Sequence, residues 1–268
     1  MGSEDARVAI VTGVSRRSGI GFAIARRLLG DGHRVLVHSW SAVDREQGLA
    51  DPEGMPAVLR ELGGEGARLA HVEADLSEAQ AAAAVVDAAV DAFGAVDVLV
   101  VNHAFGPLDR LQTTTAELLD RAWRTNARAA VLLAQAFARR YDERRGDGRI
   151  VLFTSGQHRE PMPAELSYAI SKGALHQMTP TLADELGDRG ITVNAVNPGP
   201  VDTGWPSEQL RRGLAPAWPS RRWGRPDDIA PVVAWLCSRE SAWVTGNVID
   251  AEGGFRRHAG VDRRDETT

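Results

Sequence analysis

Tyr168 and Lys172 stand four residues apart in SYAISKGAL, and Lys172 is the only lysine in a chain whose 31 Lys+Arg are otherwise all arginine. On a helix, residues i and i+4 share a face, so this spacing sets a phenol beside an ammonium. A phenol with a pKa of about 10 is a poor base near neutrality, and a neighbouring ammonium favours its phenolate. Lysine can also relay a proton, which arginine, protonated up to a pKa of ~12, cannot. The pair reads as a proton-transfer group. A YxxxK spacing recurs by chance, so it needs company.

A second set of residues suits an anion. TGVSRRSGIGFAIARRLL, residues 12–29, places Gly13, Gly19 and Gly21 between a strand-like run and an amphipathic helix. Glycine lets the backbone approach a pyrophosphate and carries a positive φ at little cost. The helix start that follows offers free N–H groups and a favourable dipole to the same anion. That position favours dinucleotide binding over a merely structural turn.

The elements that must position these groups alternate along the chain. Apolar runs at 8–11, 34–37, 69–74, 96–101, 149–153 and 191–196 predict strands, continuous rather than alternating, as in a parallel sheet buried on both faces. Helical patterns fall near 20–30, 77–93, 115–141 and 167–189. Strand–helix repetition implies an α/β fold: a single-domain, Rossmann-type, doubly wound parallel sheet with helices on both faces. No linker divides residues 1–268. The core is expected over about 7–255, a Pro- and Gly-interrupted lid over about 203–220, and a polar tail over 257–268. Pro180 predicts a local kink near 176–180 that leaves Tyr168 and Lys172 undisturbed.

Bulk properties narrow the classes. Hydrophobic residues make up 43% and charged residues 25%, the balance of a globular protein with a sizeable core. A net charge of -5 gives no electrostatic reason to expect nucleic acid or an anionic membrane. The lone Cys237 excludes an internal disulfide framework and fits a reducing, cytoplasmic location. No apolar stretch approaches a membrane span, no metal site is indicated, and the acidic start lacks a signal-peptide pattern.

TG…GIG after the first strand and SYAISK in the second half together resemble the short-chain dehydrogenase/reductase family, over roughly 7–255. Within that family the chain is similar to 3-oxoacyl-(acyl-carrier-protein) reductases and to general carbonyl or sugar-alcohol reductases. The family's turn is usually TGxxxGIG; here it is two residues longer, leaving open whether Ser15, Arg16 or Ser18 meets phosphate. The resemblance implies a catalytic group of Asn126, Ser155, Tyr168 and Lys172. Ser155 lies thirteen residues before Tyr168, the family's separation, and its hydroxyl would hold a substrate oxygen beside the phenol. Asn126 matches the helix Asn whose carbonyl-bound water connects the lysine to solvent.

For the cofactor, the resemblance implies contacts from Gly13, Ser15, Arg16, Arg17, Gly19, Ile20, Gly21, Ser39, Asp75, Leu76, Asn102, Tyr168, Lys172, Pro198, Gly199, Val201 and Thr203. An NAD-preferring site places Asp or Glu at the end of strand two. Here His38, Ser39 and Trp40 stand there, and no carboxylate appears before Asp44. Arg16 or Arg17 would suit a 2′-phosphate, which favours NADP(H), with NAD(H) as the alternative. Gln157, His158, Met162 and Trp205, with Trp218, are the expected pocket lining, although the tryptophans could equally pack the lid.

The expected function is an NADP(H)-dependent oxidoreductase interconverting a carbonyl and a secondary alcohol with Tyr168 as acid and base, a 3-oxoacyl compound among the candidate substrates. The alternative is a catalytically silent NADP(H)-binding sensor or scaffold. Halohydrin dehalogenation on the same fold is disfavoured, because it pairs the tyrosine with arginine and lacks the glycine turn. The expected partners are a small-molecule substrate and further copies of the chain, as a homo-tetramer or dimer, with neither nucleic acid nor membrane.

Overall fold

The computed structural model describes residues 6–257, so the polar tail expected beyond Arg257 lies outside the described residues. The strands are β1 (Val8–Thr12), β2 (Arg34–Ser39), β3 (Leu69–Glu73), β4 (Val98–Val101), β5 (Gly148–Phe153), β6 (Ile191–Asn197) and β7 (Val248–Asp250). They form a seven-stranded sheet of order β3-β2-β1-β4-β5-β6-β7, and all six strand pairings are parallel. The order reverses between β1 and β4. In an open α/β sheet, ligands bind at such a switch point, beyond the carboxyl ends of the strands.

The helices are α1 (Ile20–Gly30), α2 (Ser41–Glu46), α3 (Gly54–Glu61), α4 (Ala81–Phe93), α5 (Ala116–Ala122), α6 (Ala129–Arg140), α7 (Leu166–Gly187), α8 (Glu208–Leu214) and α9 (Pro226–Cys237). Side chains along each strand divide by parity between two cores. Ile10, Leu99, Val101, Ile150 and Leu152 join the α4, α6 and α7 side. Ala9, Val11, Val98, Val100 and Val151 join the α1 and α9 side. Burial on both faces explains the continuous apolar runs, and each buried Val, Leu or Ile contributes about 1.5–3 kcal/mol.

One helical expectation changes. The segment expected as one helix over 115–141 is interrupted by a π-helical turn, Trp123–Arg128, between α5 and α6. The segment expected to kink near 176–180 lies within a continuous α7. Pro180 is exposed and has no N–H for the His176 carbonyl, and α7 continues past it. One turn earlier, the Thr179 hydroxyl donates to the Leu175 carbonyl at 2.7 Å.

Candidate active site

At the switch point, β1 ends in the glycine turn. Gly13 has φ +74°, and a Cβ there would sit 2.8 Å from His103 Cα; at Gly21 it would sit 2.5 Å from the Gly13 oxygen. Both positions must stay bare for β1, α1 and the β4 loop to meet. Asn102 seals the junction, its amide donating to the Thr12 and Gly13 carbonyls at 3.0 and 3.1 Å. No side chain caps α1 at Gly19. Its first N–H groups therefore remain available to a pyrophosphate, and the turn fits an NAD(P) dinucleotide.

The two extra loop residues have a structural account. Gly19 N–H closes a turn on the Arg16 carbonyl at 3.1 Å. At the tip, Arg17 forks onto Asp51 at 2.9–3.0 Å and also bonds Glu53 at 2.8 Å. Arg17 is thus spent on the segment before α3 and does not line the cleft, contrary to its expected cofactor role. Arg16 does line the cleft, with Nε 3.7 Å from Asp44. Ser15 lines it as well, beside Asp44. Burial raises the Asp44 pKa, against the pull of Arg16 and Ser15.

Of the other expected cofactor residues, Gly13, Gly19, Ile20, Asp75, Leu76, Asn102, Tyr168, Lys172, Pro198 and Thr203 share this cleft. Ser39 does not: it is fully buried, and its hydroxyl meets His71 Nε2 at 2.8 Å. Parallel pairing puts the neighbouring His38 on the cleft side instead. Val201 packs in the α1–α9 core rather than in the cleft, and Gly199 lies against Glu252. Sequence reasoning missed Trp40, Val43 and Asp44 as lining. The signal for Trp40 and Asp44 was their place just after β2, where an NAD-preferring site carries its acid.

His38 and His103 are neutral struts under the glycine turn. Burial pushes their pKa values down to about 4 and about 3. His38 Nε2–H donates to the Ala74 carbonyl at 2.8 Å. His103 Nε2–H donates to the Thr125 carbonyl at 2.9 Å, while its Nδ1 meets the Thr12 hydroxyl at 2.8 Å. His103 thereby lines the cleft and also ties β1 to the π turn.

The four residues expected to be catalytic come from the end of β5, from α7 and from that turn. Lys172, 2% exposed, donates from Nζ to the Phe153 carbonyl at 2.7 Å and lies 5.6 Å from the Tyr168 ring centre. The Ser155 side chain sits beside the Tyr168 phenol and acts to lower its pKa. Asn126, in the π turn, donates to the Phe105 carbonyl and to Ser171 Oγ, both at 2.8 Å, and accepts from Phe105 N–H at 2.7 Å. Ser171 Oγ donates to the Tyr168 carbonyl at 2.8 Å, so Asn126 fixes the tyrosine turn of α7 to the β4 loop.

The electrostatics depart from the expected ammonium-assisted phenol. Burial pushes Tyr168 up to about 12; Ser155 opposes the shift and Glu165 adds to it. Burial also pushes Lys172 down to about 7, with no carboxylate partner to hold its charge. Desolvation drives both groups toward their neutral forms, outweighing their mutual effect.

None of the expected substrate residues lines this cleft. Gln157 and His158 turn back onto the Ser155 main chain. Met162 is half-buried outside the cleft. Trp205 is 50% exposed, donates from its indole to the Val201 carbonyl at 2.9 Å, and packs on Trp223. Trp218 is buried against Trp223 and Phe255, so these tryptophans pack the lid. The lid nevertheless reaches the cleft at Thr203, whose carbonyl accepts from Ser18 Oγ at 3.2 Å. Among the described residues, no group of His, Cys, Asp or Glu is placed to hold a metal ion, and no helix is long and apolar enough to cross a membrane.

A family profile described as enoyl-(acyl carrier protein) reductase matches residues 13–256. An uncharacterized oxidoreductase, YjdA, of Bacillus subtilis is 37% identical over 96% of this chain and 100% of its own. An NADPH-dependent aldehyde reductase-like protein of Arabidopsis thaliana is 37% identical over 93% and 94%, and glucose 1-dehydrogenase 2 of Bacillus subtilis is 32% identical over 93% and 94%. Among solved structures, a Serratia marcescens short-chain dehydrogenase/reductase variant superposes with a TM-score of 0.80 at 34% identity, covering 93% of this chain and 97% of that one. The chain belongs to the short-chain dehydrogenase/reductase family and is an NAD(P)-dependent oxidoreductase acting on CH–OH/C=O groups.

Proposed function

We propose that the protein interconverts a carbonyl and a secondary alcohol with NADP(H), using Tyr168 as general acid and base. Tyr168 and Lys172 line the same cleft as the glycine turn, with Ser155 beside the phenol, and this convergence carries the reading. In reduction, a dinucleotide held by the glycine turn would supply hydride to the carbonyl carbon. Tyr168 gives its proton to the oxygen while Ser155 holds that oxygen in place. A phenol pushed up to about 12 stays protonated near neutrality, the state a general acid needs. A lysine near 7 can both take and release a proton in the working range, which suits it to resupply the phenol. Asn126, through Ser171, would hold the α7 turn that carries Tyr168 against the β4 loop. In oxidation, the same groups run in reverse.

Arg16 carries the preference for NADP(H): its guanidinium lines the cleft, and no acid ends β2. Asp44, 3.7 Å away, favours a second reading, since its carboxylate can accept the ribose hydroxyls of NAD(H). Quenching of tryptophan fluorescence by NADPH and by NADH separates the two. Tighter NADPH binding, weakened about tenfold in Arg16→Ala, supports the first, a loss on the order of 1.4 kcal/mol. Equal or tighter NADH binding supports the second. The substrate screen pairs the preferred cofactor with aldehydes, sugars and 3-oxoacyl thioesters. Exposed Leu119, Trp123 and Val131 along α5–α6, and Ile170 on α7, support a homo-oligomer.

A further inference from the structure

Ser155 follows β5 in an extended conformation, φ -148° and ψ -176°, before a short 3-10 turn over Gly156–His158. The direction of its hydroxyl depends on the two peptide groups flanking it, and both are held by side chains from that turn. Ser155 N–H donates to Gln157 Oε1 at 3.1 Å. The Ser155 carbonyl meets His158 Nδ1 at 3.1 Å. A carbonyl and a carboxylate only accept, so the Ser155 contact needs a hydrogen on Nδ1 and the Asp250 contact a second one on Nε2.

The far ends of the two side chains are anchored as well. Gln157 Nε2 donates to Thr154 Oγ1 at 3.0 Å, and Thr154 Oγ1 donates to the Lys172 carbonyl at 3.1 Å. His158 Nε2 lies 3.1 Å from Asp250 Oδ1, at the end of β7. Asp250 also accepts from Asn197 Nδ2 at 2.8 Å, and Asn197 Oδ1 accepts from Gly199 N–H at 3.1 Å. One side of the brace therefore ends on the α7 turn carrying Lys172, the other on the turn after β6.

We propose that Gln157 and His158 are positioning residues: they clamp the Ser155 peptide so that its hydroxyl meets the Tyr168 phenol, and Asp250 couples that clamp to the 197–199 turn. The proposal rests on the Tyr168 reading above. It assigns the two residues to catalysis through Ser155 rather than to substrate contact.

The test compares His158→Ala with His158→Asn, whose amide keeps a donor near the Nδ1 position, and with Gln157→Ala. Turnover is followed with 4-nitrobenzaldehyde and NADPH, cofactor affinity by tryptophan quenching, and folding by thermal melts. His158→Ala should lower kcat by about 10–100-fold with cofactor affinity unchanged, and His158→Asn should recover most of it. A kcat for His158→Ala within about twofold of wild type overturns the proposal. So does an Asn variant that recovers the melting temperature but not kcat. Tyr168→Phe, run alongside, separates the two claims: full activity there removes the acid itself, whereas a dead Tyr168→Phe beside an active His158→Ala removes only the clamp. If 4-nitrobenzaldehyde is not turned over, a crystal structure of His158→Ala decides. A Ser155 hydroxyl moved away from the phenol supports the clamp, and an unmoved one overturns it.

Discussion

At the edge of the sheet where the strands begin, Arg149 is 2% exposed yet fully occupied, donating to the Ser238 and Gly148 carbonyls and to Asp147. Beside it, Asp97 accepts from Val8 N–H at 2.8 Å and from Arg145 at 2.9 Å, and Arg7 bonds the Asp147 and Cys237 carbonyls. At the edge where the strands end, Lys172 is as deeply buried, but its partner is a carbonyl. Tyr168, His38 and His103 join it, and burial moves all four toward neutrality. The same cost of burying charge is met in two ways. One edge pairs its charges and is structural; the other leaves its groups able to change protonation, which is what proton transfer requires.

Three perturbations test that contrast, from the largest effect to the smallest. Tyr168→Phe should lower kcat by about 10²–10⁴-fold while NADPH binding and stability stay near wild type. Loss of cofactor binding instead would place Tyr168 among structural groups. Asp97→Ala should act oppositely, sparing kcat of the folded enzyme but costing about 2–3 kcal/mol in denaturant melts. That figure sits below the cost for a fully buried pair because Arg145 is 32% exposed. A folded Asp97→Ala protein without activity would break the division between the edges.

The third test uses pH. Folding lowers the Lys172 pKa from 10.5 to about 7. Between those values the unfolded chain binds the additional proton, so the cost of burying this lysine is largest below pH 7 and shrinks as pH rises. Lys172→Met removes the titration. Its stability advantage over wild type should therefore narrow by about 2 kcal/mol between pH 7 and pH 9, read from denaturant midpoints. A gap that does not change with pH would mean that Lys172 keeps its charge in the fold.

The alternation of strands and helices, the glycine turn and the Tyr168–Lys172 spacing were legible along the chain. Each depends on local period or on neighbours within one element. Ser155 was legible through its separation from Tyr168. The function of other polar residues was decided only by tertiary structure. Adjacent arginines part company because Asp51, 34 positions on, takes Arg17, whereas Arg16 faces the cleft. Ser39 is lost to His71 across a strand pair, and Asp44 enters because α2 folds back beside the glycine turn. Gln157 and His158 turn to their own main chain because Thr154 and Asp250 hold their far ends. The pKa order of Tyr168 and Lys172 was equally hidden: spacing says which charges are neighbours, but desolvation depends on every segment that shuts out water, and those segments meet only in the folded chain.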